Sequence, residues 1–152
     1  MRQIKFQKTI LVIMLLIVAA GVISCNSTQK LNLSDIKSTC DNLPDFREDP
    51  KGLKTITLEG YLIAAEKAMS GTAYDVAVGA SPNSGETLKV NMNSGDGHNQ
   101  IKFTDKNNFT IKTDNGEVLK PKDEVRITGT LGKTKTPEYS CQVSMVEKVE
   151  KP

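Results

Sequence analysis

The stretch Val125-Arg-Ile-Thr-Gly-Thr-Leu131 alternates apolar with polar residues and is the clearest strand signal in the chain. A period of two is typical of a strand that has one face in a core and the other in solvent. The same alternation occurs at residues 56–62, Ile-Thr-Leu-Glu-Gly-Tyr-Leu, where Gly60 predicts a bulge or a sharp coil. Together the two stretches predict an all-β core.

Further alternating runs lie at residues 74–80, 88–92 and 139–145, and two short pieces lie at 101–103 and 109–111. Turn sequences such as Ser81-Pro-Asn-Ser-Gly85 separate these runs and favour hairpins. Five to seven strands with turn-rich links predict a small barrel or a sandwich.

One short helix precedes the strands. Leu33, Ile36, Cys40 and Leu43 follow one another at spacings of three, four and three, which places them on one stripe of a helix. Ser34 is the predicted N-cap, because its hydroxyl can accept a hydrogen bond from a free backbone N–H group.

The run Leu119-Lys-Pro-Lys-Asp-Glu-Val-Arg-Ile-Thr-Gly-Thr-Leu131 resembles a late strand of an OB-fold domain. That family often enters this strand with Gly-Asp and closes it on Gly-x-Leu; here Lys122 stands in the usual glycine position. Residues 56–62 resemble the coiled first strand of the same barrel. The resemblance implies a ligand surface on the second and third strands, close to Tyr74, Lys89, Asn91 and Asn93. The competing interpretation is that Tyr74 packs in the core and the other three are ordinary exposed residues.

A second fold remains open. An OB barrel usually carries a helix between its third and fourth strands, yet Phe109-Thr-Ile-Lys-Thr113 is rich in β-branched residues and favours a strand. An immunoglobulin-like β-sandwich is therefore the alternative to a small OB-like barrel.

The chain begins with a basic segment, Arg2 to Lys8, followed by apolar residues from Thr9 to Ile23, as in an export signal. Val22-Ile-Ser-Cys25 resembles the lipobox of bacterial lipoproteins, in which the cysteine is thioether-linked to diacylglycerol and the leader is cut just before it. The resemblance implies a signal peptide over 1–24, a lipidated tether over 25–32 and one domain over 33–152. It implies attachment to a membrane of the bacterial cell envelope, with the domain outside the cytoplasm.

Two other interpretations of the leader remain. A transmembrane anchor is one, but the uncharged stretch from Thr9 to Ile23 has 15 residues, fewer than the roughly 20 that a spanning helix needs. An ordinary secretory signal with a chance cysteine is the other.

Removal of the leader changes the charge. The chain has 20 Lys and Arg against 18 Asp and Glu, and three of the bases (Arg2, Lys5, Lys8) precede Cys25. The remaining 17 bases against 18 acids give a net charge of −1, which disfavours binding of nucleic acid through its phosphates. A local excess persists over residues 100–135, with eight bases against five acids.

The other two cysteines, Cys40 and Cys141, form a disulfide candidate, because an exported chain reaches an oxidising compartment. Cys40 lies on the apolar stripe of the helix, and Cys141 shares a strand face with Tyr139, Val143 and Met145. Two buried free thiols are the alternative.

The sequence offers little catalytic chemistry. His98 is the one histidine, and with Asp96 it makes an incomplete metal site. No phosphate-binding glycine loop of known spacing occurs. We therefore expect a non-enzymatic protein without metal or cofactor, which binds an envelope protein, a glycan or a small ligand. An OB-type single-stranded nucleic-acid binder and a small envelope hydrolase are the alternatives.

Overall fold

The structure is a computed structural model that describes residues 29–30, 32–43, 53–69, 71–134 and 140–152. The predicted signal peptide, the lipidation site Cys25 and most of the predicted tether lie outside the described residues. The elements, in chain order, are β1 (Gln29–Lys30), α1 (Leu33–Asp41), β2 (Lys54–Lys67), β3 (Ala73–Gly79), β4 (Thr87–Asn93), β5 (Gln100–Asp105), β6 (Asn108–Lys112), β7 (Val118–Leu119), β8 (Glu124–Thr134) and β9 (Ser140–Glu150).

Five long strands close into a barrel. Their order is β2-β3-β4-β9-β8, and β8 pairs with β2 to complete the circle. Every neighbouring pair is antiparallel except β4 and β9, which run parallel and pair Lys89 with Gln142 and Val90 with Val143. The prediction of an all-β, OB-like barrel with one short helix is confirmed, and closure of the sheet excludes the sandwich alternative.

β2 closes the barrel because it changes partners along its length. Lys54 to Tyr61 pair with β8, whereas Tyr61 to Lys67 pair with β3. Gly60 lies just before this change, where the sequence predicted a sharp coil or a bulge. The register shift itself lies two residues later, between Leu62 and Ala64.

A small three-stranded sheet, β5-β6-β7, occupies the position at which the OB family usually has a helix. The β-branched residues around Phe109 therefore form a strand, as their composition predicted. Four side chains of this sheet, those of Ile101, Phe109, Ile111 and Leu119, are almost fully buried. They join the barrel residues in one continuous hydrophobic core.

The turn before β8 contains a strained residue. The N–H of Asp123 donates to the carbonyl of Lys120 at 3.0 Å, and Lys122 has a φ of +75°. Pro121 followed by a residue with positive φ is the pattern of a type II turn, which favours glycine at the third of its four residues, here Lys122. Lys122 thus has a glycine-like conformation, and it stands at the position where OB-fold domains often have a glycine.

α1 begins two residues earlier in the chain than the predicted cap implied. Its N-cap is Asn32, whose side-chain oxygen accepts a hydrogen bond from the backbone N–H of Ser34 at 3.2 Å. Ser34 itself lies inside the helix, so the predicted cap was wrong by two positions. The apolar stripe packs as expected, because Ile36 and Cys40 are buried.

Cys40 and Cys141 form a disulfide that joins α1 to β9, with the two Cα atoms 5.9 Å apart. The predicted bridge is therefore present, and it excludes a pair of free thiols. Within the described residues, no helix is long and apolar enough to span a membrane.

Candidate binding face

Three of the four predicted ligand residues lie on the outer side of β4. Lys89, Asn91 and Asn93 alternate with Leu88, Val90 and Met92, which are buried in the barrel. The alternation turns the three polar side chains outward, as the period of two requires.

Tyr74, the fourth predicted residue, lies on the inner side of the sheet. It shares a face with Val76 and is partly buried against the core. Its ring stacks on Phe103 of β5, with centroids 4.5 Å apart and an angle of 23° between the planes. This packing joins the small sheet to the end of the barrel and separates Tyr74 from the other three residues.

Asp75 is the residue that organises the outer side of β3. It lies opposite Asn91 in the register, and the Nδ2 atom of Asn91 donates to its Oδ1 atom at 2.8 Å. The Asp75 side chain is only 17% exposed. Covering this side chain removes water from its oxygens, and the amide donor of Asn91 replaces part of that lost hydrogen bonding.

Lys89 links β4 to β2. Its Nζ atom lies 2.8 Å from Oε1 of Glu66 and 3.9 Å from Oδ2 of Asp75. The hydrogen bond from Lys89 lowers the pKa of the Glu66 carboxyl, and the same bond raises the pKa of Lys89. Both side chains are about half exposed, so solvent screens the pair and its contribution to stability is small.

We call the surface formed by Glu66, Asp75, Ala77, Lys89 and Asn91 the β3–β4 face. Ala77 lies at its centre, between Ala64 on β2 and Lys89 on β4. A methyl side chain there leaves room above the sheet, while charged and amide groups surround it. The face carries two carboxylates and one ammonium group, and all its polar atoms stand on paired strands.

An open cleft of about 470 Å³ lies on another wall of the barrel. Its polar lining is largely satisfied internally. Arg126 donates from Nε and Nη2 to Oε1 of Glu59, at 2.9 and 2.5 Å. The hydroxyls of Thr57 and Thr128 are 2.9 Å apart, and Lys148 pairs with Glu150 at 2.7 Å.

A smaller hollow of about 200 Å³ lies on the β5-β6-β7 sheet and includes Lys102 and Lys112. Lys102 pairs with Asp96 at 3.2 Å, and both side chains are well exposed. Part of the basic excess over residues 100–135 is therefore neutralised locally, by this pair and by the Arg126–Glu59 pair.

His98 serves the turn before β5 in the described structure. Its Nδ1 atom lies 2.6 Å from the carbonyl oxygen of Asp114. Asp96, its proposed companion for a metal, instead pairs with Lys102. Among the residues that the structure describes, no three His, Cys, Asp or Glu side chains are grouped to hold a metal ion.

Glu66, Asp75 and Ala77 are the members of the β3–β4 face that the sequence did not single out. Asp75 alternates with Val76 and Tyr74, so its outward direction was readable, but its partner was not. The pairing of Asp75 with Asn91 depends on the register of the β3–β4 hairpin, which the long turn between the strands leaves undefined.

The chain matches no model of a known protein family and none of the curated proteins.

Proposed function

We propose that this chain is a lipid-anchored, non-enzymatic protein of the bacterial cell envelope, and that its barrel binds a partner protein through the β3–β4 face. Cys25 carries the lipid in this account. Two observations support the location: the lipobox resemblance at residues 22–25, and the disulfide between Cys40 and Cys141. Disulfides persist in oxidising compartments outside the cytoplasm.

The observation that carries the binding role is the preorganised polar surface around Ala77. Asp75, Asn91 and Lys89 are held by cross-strand contacts, so a partner would meet fixed donors and acceptors. Fixed groups lose little side-chain entropy on binding. OB barrels use this same face, formed by their second and third strands, for recognition.

The charge of the face favours a protein partner with exposed donors, such as the Lys or Arg side chains of a polar rim. The outward positions of β3 and β4 hold Asp75, Ala77, Thr87, Lys89, Asn91 and Asn93. None of these is aromatic, and single-stranded nucleic acid is usually held by stacking on aromatic side chains beside a basic groove. Sugars also favour aromatic surfaces, which weighs against a glycan on these two strands.

Site-specific photo-crosslinking in intact envelopes tests this proposal. A photoreactive amino acid replaces Ala77 at the centre of the face, or Lys102 on the small sheet as the control. We expect a protein adduct from position 77 that is absent from position 102. The adduct should weaken in Asp75→Asn and Lys89→Ala backgrounds, which change the charge of the face without altering a buried apolar side chain.

A lipidated protein that gives no protein adduct from position 77 would contradict the proposed face. An adduct with a glycan or a small molecule at that position would retain the face and replace the partner class. Lys102→Ala serves as the matched lysine variant, because Lys102 is also exposed and also paired with one acidic side chain.

A further inference from the structure

β1 determines where the anchored end of the chain meets the barrel. It pairs in parallel with β2, with Gln29 opposite Leu58 and Lys30 opposite Glu59. A parallel strand enters a sheet from the same end as its neighbour. The chain therefore reaches Gln29 from the end of the barrel at which β2 begins, near Lys54.

The distance from this point to the lipid is limited by covalent geometry. Four peptide units connect Cys25 to Gln29. At no more than about 3.6 Å per residue, the two Cα atoms are separated by at most about 14 Å, whatever the conformation between them.

Other elements meet at this same end, and they are rigidly connected. Lys54 lies opposite Leu131 of β8, and Lys133 lies opposite Cys141 of β9. The Nζ atom of Lys133 donates to the carbonyl of Asp41 at the end of α1, and Cys141 is disulfide-bonded to α1. We call this surface, formed by Asp41, Lys54, Lys133 and the disulfide, the anchor end.

The opposite end of the barrel lies where β2 finishes. Met69 follows β2 there and is 95% exposed. The 13 steps from Lys54 to Lys67 span up to about 43 Å at 3.3 Å each, and coiling of the strand shortens this length. The tether joins the barrel opposite Leu58, nine steps before Lys67; the length of strand between them is up to about 30 Å, about twice the greatest reach of the tether.

We propose that the anchor end rests against the lipid headgroups and that the Met69 loop points away from the membrane. This orientation depends on the lipid anchor of the proposed function, but it adds the surface that meets the bilayer. A tether shorter than the barrel prevents the molecule from presenting its far end to the lipid. The exposed side chain of Lys54 suits an anionic headgroup layer.

The absence of tryptophan from the chain provides a direct test. Single tryptophans are introduced as Lys54→Trp and as Met69→Trp, both exposed positions, in the full lipidated protein. The protein is reconstituted into phosphatidylglycerol-containing vesicles that carry a dansyl acceptor on the headgroup. We expect severalfold greater energy transfer from position 54 than from position 69.

Two controls separate the orientation from the anchor. An insertion of about 20 Gly-Ser residues between Asn26 and Ser27 adds roughly 25 Å of flexible reach and should reduce the difference between the two positions. Equal or reversed transfer in the uninterrupted protein, with normal sedimentation on vesicles, overturns the orientation alone. If the protein purified from membranes carries no lipid and does not sediment with vesicles, the anchor is overturned. The proposed orientation is then overturned as well.

Discussion

Cys40, near the end of α1, is disulfide-bonded to Cys141, near the start of β9, across 101 positions of the sequence. The bridge connects the helix that follows the predicted tether with the strand that completes the barrel. Because β9 pairs with both β4 and β8, the bridge attaches α1 to a strand that has a neighbour on each side. A crosslink that closes a loop of this length removes much conformational entropy from the unfolded chain.

Removal of the bridge should destabilise the domain strongly. For the double variant Cys40→Ser and Cys141→Ser we expect the free energy of unfolding to fall by about 4–5 kcal/mol, the chain-entropy value for a loop of about 100 residues. Urea unfolding of the domain without its leader measures this difference. The oxidised parent should show no reactive thiol at Cys40 or Cys141 when denatured without reductant. Two reactive thiols would contradict the bridge.

Replacement of Lys122 by glycine should stabilise the domain. Its φ of +75° is unfavourable for a side chain that carries a Cβ atom, and relief of this strain outweighs the extra freedom of glycine in the unfolded chain. We expect Lys122→Gly to raise the free energy of unfolding by about 0.5–1 kcal/mol. Lys120→Gly, in the same turn but without a positive φ, should lower it. A destabilised Lys122→Gly would contradict the turn geometry.

Asn99 connects three segments and should be sensitive to substitution. Its side chain donates to Oδ1 of Asp114 and to the carbonyl of Glu147, and accepts from the N–H of Val149. Its φ is +58°. Asn99→Ala should lower the free energy of unfolding by about 1–3 kcal/mol. Asn99→Gly should lower it by about 1 kcal/mol less, because glycine adopts a positive φ without strain. Thermal unfolding of both variants measures the two contributions, and equal losses would exclude the backbone contribution.

Lys89 should control the titration of Glu66. Since the folded state lowers the pKa of Glu66, the ionised carboxyl stabilises the fold above its unfolded pKa of about 4.3. That contribution is lost as the pH falls through the lower, folded pKa, and it amounts to less than about 1 kcal/mol because the pair is exposed.

Side-chain carboxyl NMR of Glu66 measures this effect. In Lys89→Met the pKa of Glu66 should rise toward its ordinary value, and Lys102→Met should leave it unchanged. High salt should reduce the shift in the parent protein. An unaltered Glu66 titration in Lys89→Met would contradict the ion pair.

Much of the fold was readable from local patterns. The alternation at residues 125–131 and 56–62 predicted two long strands, which pair with each other over eight positions. The β-branched run after Phe109 predicted a strand against the family's usual helix, and the structure has a small sheet there. These features depend on which face of a strand is buried, a property that the sequence records at every second residue.

The remaining features depend on residues that are distant in the chain. The sequence placed Tyr74 either on the ligand surface or in the core and did not decide between them, because Phe103, whose ring stacks on Tyr74, belongs to β5. Asp75 was not selected because its partner Asn91 is defined by the hairpin register. The cap of α1 was misplaced because Asn32 and Ser34 are both good N-cap residues, and only the helix start distinguishes them.

The most direct test of the lipid-anchored account is the fate of Cys25→Ala in the native host or a bacterial expression host. The account predicts that the parent is cleaved before Cys25, carries a diacylglycerol mass on that residue and fractionates with membranes. It predicts that Cys25→Ala accumulates as the uncleaved precursor without the lipid mass. Intact-mass spectrometry of both fractions provides the measurement. A normally cleaved, soluble Cys25→Ala product would contradict the account.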